Sequence, residues 1–245
     1  MITVYDLGPT SLPKSSELGL SPHVRKVILA LRLKKLSYQV SVIGFDDIEP
    51  TAKRLGAPPT SKKPDGSPKY TIPFIHDTDA NKAVSDSFLI AEYLDEAYPQ
   101  TPQLLPTGTR ILQAAFINDF ESRYMPIFTV VAPEIRKFLS QKFIEGQKKT
   151  YGDRAVAPPL ALEEQEAVWD KVTGSFAALG AFFGEGDKFV MGGETPTYAD
   201  FAIASWPYSI AMTYGKDSKE WGIASQWVSG RVGALCKEFF EDIGV

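Results

Sequence analysis

One cysteine, Cys236, and two histidines, His23 and His76, are all the chain offers of the residues most used for soft metals and redox chemistry. Neither a Cys/His zinc site nor a disulfide framework can be assembled from them within one chain. Charge of one sign is equally scarce. The 26 Lys and Arg stand against 30 Asp and Glu, a net charge of -4, with the basic residues scattered. That distribution lacks the basic patch a nucleic-acid binder needs. No apolar run approaches the ~18 residues that span a bilayer, and the N-terminal MITVYDLGPTS has neither the basic nor the apolar region of a secretory signal. The expectation is a soluble, cytoplasmic protein without metal, nucleic-acid or membrane partners.

What is present is a core. At 245 residues, 44% hydrophobic and 12% aromatic, the chain can bury one large domain or two small ones. ITVYDL (2–7) reads as a strand, and Val24, Val27, Ile28 and Leu31 then recur at the spacing of one buried helical face. SYQVSVI (37–43) is a second strand and 46–55 a short helical piece. GAPPTSKKPDGSPKY (56–70), with four prolines and two glycines, predicts a long loop. TIPFIHD (71–77) and AVS (83–85) follow as strands, and DSFLIAEYLDEAYP as a helix closed by Pro99. The order over residues 1–100 is β-α-β-α-β-β-α. PQTPQLLPTG (99–108) predicts a linker, placed at 101–107, and from 108 to 245 the signals are helical. Pro126 and Pro133 are expected to kink the first long helix of that half.

Four short stretches carry chemistry. Ser21 stands before Pro22 at the head of the first helix, the place of an N-cap followed by proline at the first helical position. Ile72-Pro73 is either an edge-strand proline or a cis turn that frees the Ile72 backbone to pair with an extended peptide ligand. Asp86 or Ser87 caps the helix FLIAEYL, and the same geometry can receive the ammonium and carboxylate of an α-amino acid. Thr197 and Asp200 open the apolar run FAIASWPY as a capping box, a structural mark of a helix nucleating in the second domain.

Taken in order, TIPFIHD followed by SDSFLIAEYLDEAYP, the helical half, and GGETPTYADFAIA (192–204) resemble the cytosolic glutathione transferases. YDL, SPHVRK and the long loop before TIPF are most similar to the serine-type etherase branch, the bacterial β-aryl-etherases and related fungal transferases. The resemblance implies an α/β thioredoxin-like N-terminal domain, an all-α C-terminal domain, and glutathione as cosubstrate. Ile72, before a cis Pro73, would then pair with the cysteinyl part of glutathione, and Asp86 with Ser87 would hold its γ-glutamyl head. Ser21 matches the catalytic serine. A hydroxyl and a helix N-terminus facing the bound thiol favour its thiolate, so the cosubstrate brings the nucleophile and no protein base is needed. Tyr5 is the rival hydroxyl. Lys62 and Lys63 are the candidates for the glycyl carboxylate, with Lys63 preferred. The electrophile pocket of the family lies between the domains, which nominates Tyr124, Met125, Phe128, Trp206 and Tyr208 as walls for hydrophobic aromatic ligands. A homodimer is implied. The rival to catalysis is a ligandin-like carrier of aromatic compounds.

Overall fold

The computed structural model describes residues 1–13 and 15–240; the last five residues of the expected helical domain lie outside them. The chain divides into two compact units, Met1–Leu105 with Leu139–Val156, and Pro106–Phe138 with the chain from Ala157 on.

The first unit is built on a mixed sheet. Strand β1 (Ile2–Leu7) leads through a short helix α1 (Ser15–Leu18) into α2 (Pro22–Leu33), then β2 (Tyr38–Ile43) and α3 (Ile48–Leu55). A two-stranded ribbon, β3 (Ser61–Lys62) and β4 (Pro68–Lys69), precedes β5 (Phe74–Asp77), β6 (Lys82–Ser85) and α4 (Ser87–Ala97). The sheet order is β2-β1-β5-β6, with β2 parallel to β1 and the other pairs antiparallel. Because β-strand side chains alternate, Tyr5 and Asp6 face opposite sides. On one side Tyr5 and Phe74 join Ile48 and Ala52 of α3. Helices α2 and α4 pack together, and Val24, Val27, Ile28 and Leu31 are wholly buried, the face the spacing predicts.

Three expectations are modified. The 56–70 loop contains the β3–β4 ribbon: Pro64 and Asp65 turn the chain, the Gly66 amide donates to the Lys63 carbonyl at 2.9 Å, and Gly66 takes φ +83°. The 101–107 segment is fastened over part of its length. Lys34 pairs with Asp95 at 2.7 Å and donates to Thr101 at 2.9 Å, while Asp95 accepts the amides of Leu104 and Leu105. The boundary therefore falls after Leu105. Thirdly, residues 139–156 join the first unit. Helix α6 (Gln141–Tyr151) is capped by Ser140, and Phe143 meets Phe45 edge-on at 4.8 Å between ring centres. Gly146 lies so close over Phe45 that a Cβ there would stand 2.8 Å from the ring. Thr10 and Leu139 add a β-bridge.

The second unit is helical in its described residues: α5 (Arg110–Arg136), α7 (Leu162–Gly180), α8 (Tyr198–Ser205), α9 (Tyr208–Tyr214), α10 (Lys219–Ser225) and α11 (Arg231–Phe240). Pro126 and Pro133 both lie inside α5 without ending it. The centre is aromatic. Phe176 stacks on Trp227 at 4.9 Å, and Tyr124 sits 5.3 Å from Trp206. The capping box is wholly buried: Asp200 accepts the Thr197 amide at 2.7 Å, the Thr197 hydroxyl at 2.9 Å and the Val190 amide at 2.8 Å. Burial pushes the Asp200 carboxyl up. Gln113 ties α5 to this point by accepting the Ala199 amide at 2.9 Å.

Candidate functional site

Strand register brings the polar motifs of the first unit to one edge. Tyr5 of β1, Phe74 of β5 and Ser85 of β6 stand in one row across the sheet. Their chain neighbours beyond that row are Asp6, Pro73 and Asp86. Each is bonded to a motif: Asp6 receives the Ser21 amide at 3.4 Å, and the Asp86 amide donates to the Pro73 carbonyl at 3.3 Å.

Ser21 is the N-cap of α2. Its backbone is extended, Pro22 takes the first helical position, and its Oγ accepts the His23 amide at 3.2 Å. Capping consumes a lone pair and leaves the hydroxyl hydrogen to donate. Among the described residues that hydrogen has no acceptor. The Ile72–Pro73 peptide bond is cis, as is Gly8–Pro9. No turn or loop hydrogen bond among the described residues engages the Ile72 backbone.

Asp86 is exposed and holds φ +75°, ψ 128°, a conformation costly for a residue with a side chain. Its Oδ1 takes the Phe88 and Leu89 amides at 2.9 and 3.2 Å, which caps α4 and leaves Oδ2 without a partner among the described residues. Ser87 is buried beside it at the first helical position. Lys63 lies in the exposed ribbon, its Nζ 3.3 Å from Glu49, which also pairs with Lys53 at 2.7 Å. Lys62 belongs to β3. The Tyr5 ring stacks on Phe74 at 4.5 Å, on the α3 side of the sheet and thus opposite Asp6.

Two charged residues were not singled out by the sequence reading. Asp6 and Arg25 are 1% and 0% exposed. Asp6 accepts the amides of Leu7 at 2.8 Å and Leu20 at 2.5 Å, besides that of Ser21. Burial pushes its carboxyl up to about 6, against the pull of those amides and the Arg25 charge. Arg25 Nη1 donates to the carbonyls of Gly19 and Leu20 at 2.8 and 3.3 Å. The available signal was a charge within a strand of otherwise apolar inward residues, and a second on the buried face of α2.

The aromatic candidates divide. Tyr124, Trp206 and Tyr208 are buried in the second unit, where Tyr208 lies 4.2 Å from Phe240 and Trp206 donates to Glu121 at 3.0 Å. Met125 and Phe128, three residues apart on α5, are exposed. Within the first unit a cavity of about 360 Å³ opens where β1 and β2 end, walled by Pro9, Val42, Phe45, Lys142 and Phe143. No helix among the described residues is long and apolar enough to cross a membrane, and no group of His, Cys, Asp or Glu there could hold a metal ion.

Comparison with known proteins bears on the family and the fold. A family model described as "Glutathione S-transferase, N-terminal domain" matches residues 20–97, and one described as "Glutathione S-transferase, C-terminal domain" matches 111–241. The glutathione S-transferase-like protein ustS of Aspergillus flavus is 27% identical, covering 91% of this chain and 89% of its own. Two glutathione S-transferases of Ceriporiopsis subvermispora, CsGST83044 and CsGST63524, were crystallised with glutathione. They are 27% and 30% identical, with TM-scores of 0.85 and 0.84. The first alignment covers 98% of both chains, the second 100% of this chain and 98% of the other.

Proposed function

Because the chain belongs to the glutathione S-transferase family, we propose that the sheet edge carrying Ile72, Pro73, Asp86 and Ser87 is its glutathione site and that Ser21 activates the thiol. Related structures carry glutathione, and among the described residues the Ser21 hydroxyl hydrogen, the Ile72 backbone and Asp86 Oδ2 are open to it. The Ile72 backbone would pair with the cysteinyl residue, Asp86 Oδ2 with the γ-glutamyl ammonium, and Ser87 at the α4 N-terminus with its carboxylate. Lys63 would meet the glycyl carboxylate by releasing Glu49. The observation that carries the reading is the Ser21 hydroxyl: its capping bond leaves the hydrogen to donate to sulfur.

An unperturbed thiol titrates near ~8.5, so most of it is protonated at neutral pH. A hydroxyl donor and a helix N-terminus stabilise the charged form, and the thiol proton passes to solvent. The sulfur then gives its electron pair to an electrophilic carbon of an aromatic substrate, and the leaving group departs with the pair of the broken bond. Conjugation and etherase-like thiolytic cleavage differ only in that leaving group. Met125 and Phe128, exposed apolar side chains on α5, are the candidate surface for such a substrate, whereas Tyr124, Trp206 and Tyr208 are buried against other rings.

The test is Ser21→Ala. Losing one hydrogen bond to a charged group is worth about 1.5 to 3 kcal/mol, so the bound thiol should rise by roughly one to two pKa units and kcat/KM should fall by a similar number of decades near neutral pH. Glutathione affinity should hold. A thiol pKa unchanged in Ser21→Ala, read by thiolate absorbance, overturns the assignment; a shift in Tyr5→Phe instead moves the role to the strand.

A second reading, a carrier of aromatic compounds, is favoured by the cavity bounded by Pro9, Phe45 and Phe143, whose volume falls in the ligand-binding range. Saturable binding of aryl ligands with no glutathione-dependent turnover on any aryl electrophile or β-aryl ether would select it. We also propose a homodimer. Leu89 in the first unit, and Ile111 and Leu112 in the second, are exposed apolar side chains that an interface would cover. Light scattering should return twice 27.0 kDa; a monomer mass at micromolar concentration removes this claim.

A further inference from the structure

The segment Gly19-Leu20-Ser21 joins α1 to α2 and contains the serine on which the proposed chemistry turns. A loop residue at this position is expected to drift unless its peptide planes are held. Here two successive planes are held at both ends. The Gly19–Leu20 plane gives its carbonyl to Arg25 at 2.8 Å and its amide to Asp6 Oδ2 at 2.5 Å. The Leu20–Ser21 plane gives its carbonyl to Arg25 at 3.3 Å and its amide to Asp6 Oδ1 at 3.4 Å.

We infer that Asp6 and Arg25 are positioning residues for Ser21: the carboxylate gathers the amides, the guanidinium gathers the carbonyls, and the serine hydroxyl is left with only its own rotation free. Gly19 is part of the device. It holds φ +82°, and a Cβ there would lie 2.7 Å from Val24 Cγ1 and 3.1 Å from Asp6 Oδ2, so a side chain would be strained, would displace Val24 and would crowd the carboxylate. The two charges are buried in a strand and a helix rather than in loops, and sites held by regular elements are the more precisely set. An apolar pair would cost less to bury, so two buried charges bonded to one loop fit a positional task.

This inference rests on the Ser21 reading, and one set of variants separates the two. Asp6→Asn keeps the shape of the side chain but turns one acceptor into a donor aimed at an amide. Misplacing the hydroxyl should raise the pKa of bound glutathione by about one unit and lower kcat about tenfold, with glutathione affinity within about twofold of wild type. Because Asp6 acts only through Ser21, Asp6→Asn combined with Ser21→Ala should be no worse than Ser21→Ala alone, a non-additivity that a general loss of stability does not produce. Removing a nearby negative charge without moving the serine would lower the thiol pKa, so a lowered pKa in Asp6→Asn overturns positioning. So does an unchanged one where Ser21→Ala shifts it; that outcome leaves the serine assignment standing. If Ser21→Ala itself is silent, both fall together. Should Asp6→Asn fail to fold, Arg25→Lys provides the same measurement, since the ammonium keeps the charge but loses the rigid guanidinium geometry that holds two carbonyls. A raised thiol pKa and the same non-additivity are expected, and wild-type values in the folded Arg25→Lys protein refute the proposal.

Discussion

The polar edge of the first unit and the aromatic centre of the second use their side chains in opposite ways. At the edge, Ser21 and Asp86 each cap a helix with part of their hydrogen-bonding capacity and keep the rest: a hydroxyl hydrogen in one, a carboxylate oxygen in the other. In the aromatic centre, the rings of Tyr124, Trp206 and Tyr208 are buried against other rings. A structural role and a ligand-binding role coexist where a group has several valences. They compete where the group's contribution is its surface.

That contrast can be broken in either region. The largest effect is expected from Tyr124→Ala, which empties a ring-sized site in a fully buried cluster and should cost about 3 to 5 kcal/mol of stability. A denaturant midpoint close to wild type would show the ring to be dispensable surface after all. Asp6→Asn supplies the next. Its folded pKa is raised from 3.8 to about 6, so the stability this carboxyl contributes is full below pH 3.8 and is lost as pH rises through about 6. The asparagine does not titrate, so the stability of the variant relative to wild type should improve by about 2 kcal/mol between about pH 4 and pH 7. Parallel melts across that range check it; a constant difference means Asp6 is not protonated in the folded protein at acid pH. Asp86→Ala should weaken glutathione binding about tenfold or more, through a charged hydrogen bond, and cost about 1 kcal/mol of stability through the cap. Titration calorimetry with unchanged affinity would reduce Asp86 to a cap. The smallest effect on folding is expected from Phe128→Ala, exposed on α5, with a stability change within about 0.5 kcal/mol. A several-fold rise in KM for aryl substrates should accompany it, and unchanged KM would detach this surface from the site.

Helix and strand periodicity carried most of the architecture. Val24, Val27, Ile28 and Leu31 were readable as a buried face because nothing else explains their spacing. Capping chemistry made Ser21, Asp86 and Thr197 legible, since each sits where a helix must begin. The aromatics were harder, because a ring that packs and a ring that lines a pocket look alike in sequence. Asp6 and Arg25 escaped for a different reason: their partners are backbone groups of the intervening Gly19-Leu20-Ser21 segment, and backbone groups leave no letter in the sequence. The place of α6 was equally silent, as its contact with Phe45 joins residues about a hundred positions apart, although Gly146 inside a helix was a hint that something approaches there.

The attachment of residues 139–156 to the first unit bears on how the chain is made. During synthesis from the N-terminus, the sheet, α2 and α4 can form once Leu105 has emerged, yet Phe45 keeps an uncovered flank until α6 follows. Between them comes the whole of α5, which belongs to the other unit. The first unit therefore cannot be completed without first producing the beginning of the second, and no single cut in the chain yields either unit whole.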